Sequence, residues 1–369
     1  MYNKILALKY LELLQATNAN DIIPLLKSAP PRMPEQYRKF NEGRFYDVNQ
    51  SFENLKDRLP QFESMETVMM LGLYQRLVTE AAEAVFGKKI DFPVVGSLFT
   101  MDMNASFCVP NKNINASFLL FNVGMSTMLN CISTITTALM INYDFPNTCF
   151  NVNNKSDKKK LNEIVKKELK ISTSFATAVS SFFNPSMFTC MPKSFYATEN
   201  EIQLHTEIFN YSCFFIFAHE YIHHHFSHIS EAEKAILVSN LNIDIHKREQ
   251  VDEYAADYYA LLLLEYWAKK MKLTEIPYLT ACISISQIFT FLYIAEGYKK
   301  KIGIFSPFET HPHPNERFEN IKAIVENNAS FVKHLDVAHE FVSFSLFILN
   351  TYHEEALTEY ISLNGKVDD

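Results

Sequence analysis

Glycine is scarce in this chain: 8 of its 369 residues are glycine, whereas 31 are phenylalanine. Tight turns and close backbone approaches to phosphate groups usually require glycine. The composition therefore argues against glycine-rich nucleotide-binding loops and against a β-sandwich with many turns. Neither G-x-G-x-x-G nor a phosphate-binding lysine loop occurs. We expect long helices, and a hydrophobic share of 48% is sufficient for one large or two ordinary domains.

The charge balance and the cysteines restrict the partners and the compartment. The chain has 34 basic and 42 acidic residues, and a net charge of −8 disfavours binding to nucleic acid or to an anionic membrane. Its six cysteines occur singly, without a C-x-x-C pair, which favours a reducing compartment and excludes a cysteine-based zinc site. The N-terminal sequence MYNKILALKYLELLQ is interrupted by charges, so it predicts an amphipathic helix and not a signal peptide. We expect a cytoplasmic protein.

Two uncharged stretches, residues 113–143 and Pro277–Ala295, are long enough to span a bilayer. Both are interrupted by serine, threonine, asparagine or glutamine, whereas spanning helices are predominantly apolar. We therefore expect helices buried in a protein core, and membrane association is the less favoured alternative.

The distribution of apolar and turn residues predicts a mainly α (α+β) fold. Helical spacing is expected over residues 1–28 and then over Glu66–Phe86, Met125–Tyr143, Ser156–Leu169 and most of the chain after Glu207, with Ser156 as a helix cap. Short β-prone runs between residues 91 and 121 predict a small sheet; they are Pro93–Val95, Ser106–Val109 and Phe118–Phe121. The predicted organisation is a helical N-terminal extension over 1–90 and a second domain over 91–369, or one continuous domain.

The most informative segment is Phe217–His223, which contains the pattern H-E-x-x-H in a stretch without glycine or proline. Such a stretch predicts a helix, on which residues four apart share a face, so His219 and His223 can bind one zinc ion. Glu220 then lies beside the metal and can act as the base for a metal-bound water. The alternative is a polar helix end in a histidine-rich run. The neighbouring His224 and His225 are expected to point away from the metal.

A catalytic zinc ion needs a third protein ligand and keeps one position for water. The extended motif H-E-x-x-H-x-x-G-x-x-H fails because this chain has Phe226 and Ile229 at the glycine and third histidine positions. A downstream run, Val251–Leu264, instead places Glu253 and Asp257 four residues apart on one helical face. Glu253 can complete a His₂Glu site, and Asp257 can accept the second N–H of a ligand histidine.

A third element is the sequence T-H-P-H-P-N-E-R over residues 310–317. Its two prolines predict an extended segment before a helix that begins near Asn315. His311 or His313 can stabilise a developing oxyanion, and Arg317 can orient the Glu253/Asp257 pair electrostatically. A rigid loop that caps a helix explains either histidine equally well.

Taken in order, H-E-x-x-H, E-x-x-A-D-x-x-A and T-H-P-x-x-x-x-R resemble the gluzincin metallopeptidases of the HtpX and CAAX-prenyl-protease type. The resemblance covers roughly residues 100–325, and Asn104–Phe107 is faintly similar to that family's N-A-F strand. It implies a zincin-like metallopeptidase core with an active-site helix. The roles implied are Zn²⁺ bound by His219, His223 and Glu253, Glu220 as the base, and Asp257, His311 and Arg317 at accessory positions. Soluble ImmA-type and phage-exclusion Lit-type peptidases are about equally similar, which implies cleavage of one particular cytosolic protein.

The sequence thus predicts a zinc-dependent endopeptidase that hydrolyses peptide bonds of a cytosolic protein. One alternative is a regulatory protein of the same fold that binds a metal but cleaves nothing, and the other is a membrane-associated peptidase. Glu220 disfavours the regulatory alternative because a metal-binding scaffold does not need that carboxylate. The expected partner is a protein or peptide substrate, and no nucleic acid.

Overall fold

The computed structural model describes residues 4–18, 65–88, 92–98, 105–109, 117–145, 147–148, 150–184, 198–239, 250–271, 277–303, 312–325 and 329–364. Helices dominate these residues and three short strands form one sheet, which confirms the predicted mainly α (α+β) class. The helices are α1 (Lys4–Asn18), α2 (Met65–Phe86), α3 (Val123–Tyr143), α4 (Lys155–Lys167), α5 (Leu169–Phe183), α6 (Glu199–Ser227), α7 (Glu231–Ser239), α8 (Val251–Met271), α9 (Pro277–Lys301), α10 (Pro314–Val325) and α11 (Ala329–Asn364).

The chain divides into two compact units. The first consists of Met1–Ser126 together with Ile216–His228, and the second consists of Thr127–Phe215 together with Ile229–Asp369. The helices α3 and α6 each contribute residues to both units. The domain division near residue 90 stays a prediction.

The sheet of the first unit contains β1 (Val94–Leu98), β2 (Ala105–Cys108) and β3 (Phe118–Asn122), in the order β1-β3-β2. β1 pairs with β3 in parallel, and β2 pairs with β3 antiparallel. All five residues of β3 are buried, as a continuous apolar run in a central strand predicts. Each strand overlaps one of the three β-prone runs of the sequence, with bounds that differ by up to three residues. β2 consequently forms an edge of the sheet made by the described residues.

Helix α1 packs against this sheet through Ala7 and Leu11, which form a core cluster with Val94, Phe118 and Leu120. The approach is close at Gly96, where an added Cβ would lie 2.7 Å from Leu11 Cδ2. A side chain at that point of β1 would therefore force the Leu11 side chain to shift. The helix predicted for residues 1–28 is confirmed over Lys4–Asn18, and the rest of it lies outside the described residues.

Aromatic side chains fill much of the core of the second unit. Trp267 of α8 is 1% exposed, and its ring centroid lies 4.8 Å from that of Tyr211 and 4.6 Å from that of Phe214. Phe215 of α6 makes an edge contact with Phe289 of α9. Part of the high phenylalanine content is thus explained by packing between helices.

Two described helices, Val123–Tyr143 and Tyr278–Lys301, are long and apolar enough to cross a membrane. The most apolar windows of these helices are 67% and 83% buried inside the protein, respectively. Their polar residues are also used internally, because Gln287 Nε2 donates hydrogen bonds to Ser133 Oγ at 2.9 Å and Ser212 Oγ at 2.8 Å. This burial supports the interpretation of both stretches as core helices.

The predicted cap of α4 is wrong by two residues. The helix begins at Lys155, and Asn154 is its N-cap, with Oδ1 accepting the N–H of Ser156 at 2.9 Å. Ser156 therefore lies inside the first turn. Asparagine and serine are comparable caps, so the sequence allowed both positions and the backbone path decides between them.

Candidate active site

The H-E-x-x-H segment lies near the C-terminal end of α6, a helix of 29 residues. Its first turn is stabilised by a reciprocal capping pair. The N–H of Thr198 donates to Glu201 Oε2 at 2.8 Å, and the N–H of Glu201 donates to Thr198 Oγ1 at 3.3 Å. The helix predicted for this motif is therefore observed, and it places His219, Glu220 and His223 within one turn.

The imidazole rings of His219 and His223 meet on one face of α6. Their Nε2 atoms are 3.1 Å apart and their ring centroids are 4.8 Å apart. The separation suits a shared metal ion as well as a hydrogen bond between the rings. His219 is 5% exposed, and His223 is more accessible.

Glu253 is the third member of this group. One ligand atom from each of His219, His223 and Glu253 lies within 4.8 Å of the others. Two imidazole nitrogens and one carboxylate oxygen form the donor set of many catalytic metal sites with three protein ligands. The structure therefore contains a candidate His-His-Glu metal site at the predicted residues.

Asp257 lies one turn after Glu253 on α8 and is fully buried. Arg317 of α10 binds both of its oxygens, with Nε donating at 2.7 Å and Nη2 at 2.6 Å. Nη1 of the same guanidinium lies 3.9 Å from Glu253 Oε2. Arg317 thus contacts both acidic residues of the helical face, which is the arrangement predicted for it. The predicted contact of Asp257 with a ligand histidine stays a prediction.

The carboxylate of Glu220 contacts the sheet of the first unit. The backbone N–H of Phe107 in β2 donates a hydrogen bond to Glu220 Oε2 at 2.8 Å. Burial, and secondarily the negative charge of Glu220, raise the pKa of the neighbouring Cys108 thiol. Glu220 is itself partly exposed.

The two histidines after the motif are buried and serve packing. His224 Nδ1 lies 3.1 Å from Ser117 Oγ, and its ring makes an edge contact with Phe107. His225 stacks on Phe86 of α2, with ring centroids 4.2 Å apart. These contacts agree with the prediction that both rings point away from the helix face that carries His219 and His223.

Of the two candidate oxyanion donors, His311 and His313, the structure describes one. His311 lies outside the described residues. His313 is exposed, its ring makes an edge contact with Tyr293, and its Nδ1 accepts the N–H of Asn315 at 3.4 Å. It therefore caps α10, which begins at Pro314, one residue before the predicted start. A catalytic role for either histidine stays a prediction.

A cavity of about 200 Å³ in the second unit is lined by residues of α3, α5 and the start of α6. Thr137, Lys170 and Glu201 are among them, and none of the predicted site residues is. The cavity is therefore not assigned to the candidate site.

Sequence reasoning missed the backbone contact between Phe107 and Glu220, two residues that are 113 positions apart. The available signal was the similarity of Asn104–Phe107 to a strand found in gluzincins, which indicated a strand and gave no role to its N–H groups. It also missed the 3.3 Å hydrogen bond from Tyr254 OH to Glu316 Oε2, which joins the neighbours of Glu253 and Arg317.

Comparison with models of protein families matches residues 120–335 to the family described as Peptidase U49. The match covers more than half of the chain. It includes α6, α8 and α10, the helix that carries Arg317. Neither a curated protein nor a solved structure matches the chain.

Proposed function

Because this chain belongs to the peptidase U49 family, we propose that it is a zinc-dependent endopeptidase with its active site on α6 and α8. The observation that carries the proposal is the group formed by His219, His223 and Glu253, which offers three ligand atoms within 4.8 Å of one another. The family supports peptide-bond hydrolysis, and the donor set supports the metal. The gluzincin character of the site is part of the same proposal.

In this proposal His219, His223 and Glu253 hold the zinc ion. When bound, zinc supplies the Lewis acidity that lowers the pKa of a coordinated water and polarises a carbonyl oxygen. Glu220 is the general base: its carboxylate takes the proton of the attacking water and later delivers it to the leaving amine. Its place next to His219 and within one turn of His223 gives it access to that water.

Arg317 and Asp257 keep the third ligand in place. The bidentate contact fixes the guanidinium against a fully buried carboxylate, and the same guanidinium faces Glu253 Oε2 at 3.9 Å. A positive charge at that distance attracts the Glu253 carboxylate, which is the ligand group of the proposed site. His311 or His313 is proposed as the donor to the carbonyl oxygen.

The proposed substrate is a protein or peptide in the cytosol, and the proposed enzyme works without membrane insertion. The buried shares of the two apolar helices and the net charge of −8 support this setting. Fractionation tests it, because the protein should remain in the supernatant after ultracentrifugation without detergent. Recovery only in detergent extracts would favour the membrane-associated alternative.

The decisive experiment combines metal analysis with a cleavage assay on four proteins: wild type, Glu220→Gln, His223→Ala and His228→Ala. We expect about one zinc ion per chain in wild type, Glu220→Gln and His228→Ala, and none in His223→Ala. His228 is a matched control because it is an exposed histidine five residues further along the chain. Cleavage of a proteome-derived peptide library, read by mass spectrometry, should be seen only with wild type and His228→Ala.

Two results would contradict the proposal. Wild type without bound zinc after purification in metal-containing buffer would remove the metal site. Zinc in wild type without cleavage of any peptide or of candidate cytosolic proteins would favour a metal-binding regulatory protein.

A further inference from the structure

The base of the proposed reaction is bound to an edge strand of the sheet. Phe107 of β2 donates its backbone N–H to Glu220 Oε2 at 2.8 Å, and the acceptor carries the charge that shortens and strengthens such bonds. One of the two carboxylate oxygens therefore has a fixed donor that comes from the main chain.

The strand register explains why this N–H is available. In an antiparallel pair, the N–H and C=O of one residue point to the partner strand and those of the next residue point away. Phe107 is opposite Leu119, and its N–H goes to Glu220, so 107–119 is a pair without ladder hydrogen bonds. The neighbouring pairs Ser106–Leu120 and Cys108–Phe118 then carry the ladder.

A second contact joins α6 to the sheet close to the first one. His224 is one turn after Glu220 and is 1% exposed. Its Nδ1 lies 3.1 Å from Ser117 Oγ, just before β3, and its ring packs edge-on against the Phe107 ring. The helix face that carries the base is thus attached to the sheet at two points, four residues apart.

From these contacts we infer that the main chain of Phe107 positions the general base. The N–H fixes Oε2 of Glu220, so that the carboxylate is held in one rotamer and Oε1 is the oxygen that takes the proton of the water. The inference deepens the proposed function and rests on it for the catalytic part. The hydrogen bond itself can be tested without catalysis.

The test compares Phe107→Pro with Phe107→Ala. Both variants lose the ring and its contact with His224, but only proline removes the N–H, and it does so at an edge position outside the ladder. We expect kcat of Phe107→Pro to fall by about 10- to 100-fold relative to Phe107→Ala, since a misplaced base loses much of its contribution. The two variants should have the same zinc content and, for the best-cleaved library peptide, KM values within about twofold of each other, because peptide binding and the metal ligands are untouched.

A second variant covers the case in which proline prevents folding. Replacement of residue 107 by phenyllactic acid puts an ester oxygen in place of the N–H and keeps the phenyl ring. It should lower kcat in the same way as proline. A kcat equal to that of wild type in either folded variant would overturn the inference.

A stability cycle separates this inference from the proposed function. The melting temperature is measured for Phe107→Pro and Phe107→Ala, each with Glu220 intact and with Glu220→Ala. If the hydrogen bond forms, the proline–alanine difference should be larger with Glu220 intact than without it. Equal differences would overturn the contact whatever the activity, whereas a wild type that neither binds zinc nor cleaves would overturn the proposed function alone.

Discussion

Removal of the Arg317 guanidinium should destabilise the protein far more than removal of an exposed charge on the same helix. Asp257 is fully buried and receives two charge-assisted hydrogen bonds of 2.7 and 2.6 Å from Arg317, whose side chain is 15% exposed. In Arg317→Met the carboxylate would stay buried without its cation. Breaking a buried pair in this way costs about 3–5 kcal/mol.

The matched control is Lys322→Met, also in α10. Lys322 Nζ lies 2.8 Å from Asp336 Oδ1, but the two side chains are 38% and 46% exposed. Water replaces such a partner readily, so its loss should cost less than about 1 kcal/mol. The two pairs have similar lengths, so the contrast measures the combined effect of burial and of the second hydrogen bond.

The free energy of unfolding would be measured by urea titration in the presence of a chelator, so that metal binding does not contribute. Addition of Asp257→Asn to Arg317→Met should recover part of the loss, because a neutral amide is less costly to bury than a carboxylate. Equal losses in Arg317→Met and Lys322→Met would refute the reasoning, and so would a double variant as unstable as Arg317→Met.

Three further predictions concern stability. Gly96→Ala should cost about 1–3 kcal/mol in urea unfolding, because its Cβ would overlap Leu11 at 2.7 Å, and Leu11→Ala should make the same change much less costly. Asn154→Ala should cost about 1 kcal/mol as a lost cap, whereas Ser156→Ala should cost less, since its N–H remains. Burial lowers the pKa of His205 to about 4. Between about pH 6.5 and 4 the unfolded chain binds the proton and the folded chain does not, so stability should fall as the pH decreases through that range. In His205→Gln the melting temperature should depend less on pH over the same range.

The helices and the positions of the candidate metal ligands could be predicted because they depend on local patterns. Helical spacing located α2, α3 and α6, and the four-residue spacing of His219 and His223 and of Glu253 and Asp257 placed each pair on one face. The T-H-P-x-x-x-x-R element predicts that Arg317 orients Glu253 and Asp257 electrostatically, and its contacts with both carboxylates agree with that prediction.

Other features depend on the path of the backbone, which residue patterns specify poorly. The cap of α4 is Asn154 and not Ser156 because the chain turns one residue before Lys155. His311 and His313 are equivalent in sequence, and only the exposure of His313 and its contact with Tyr293 distinguish its place in the fold. The contact of Phe107 with Glu220 depends on strand register, which no side-chain pattern encodes.

The hydrogen bond between Phe107 and Glu220 joins a strand outside the family match to a residue inside it. The match begins at residue 120, so β2 lies before it, whereas Glu220 lies within it. A hydrogen bond from a backbone N–H does not depend on which side chain the residue carries, unless the residue is proline. A scan of all substitutions at Phe107 should therefore leave kcat within a few-fold of wild type for every folded variant except proline. A kcat that instead followed the size or aromaticity of residue 107 would assign the effect to the ring and its packing on His224.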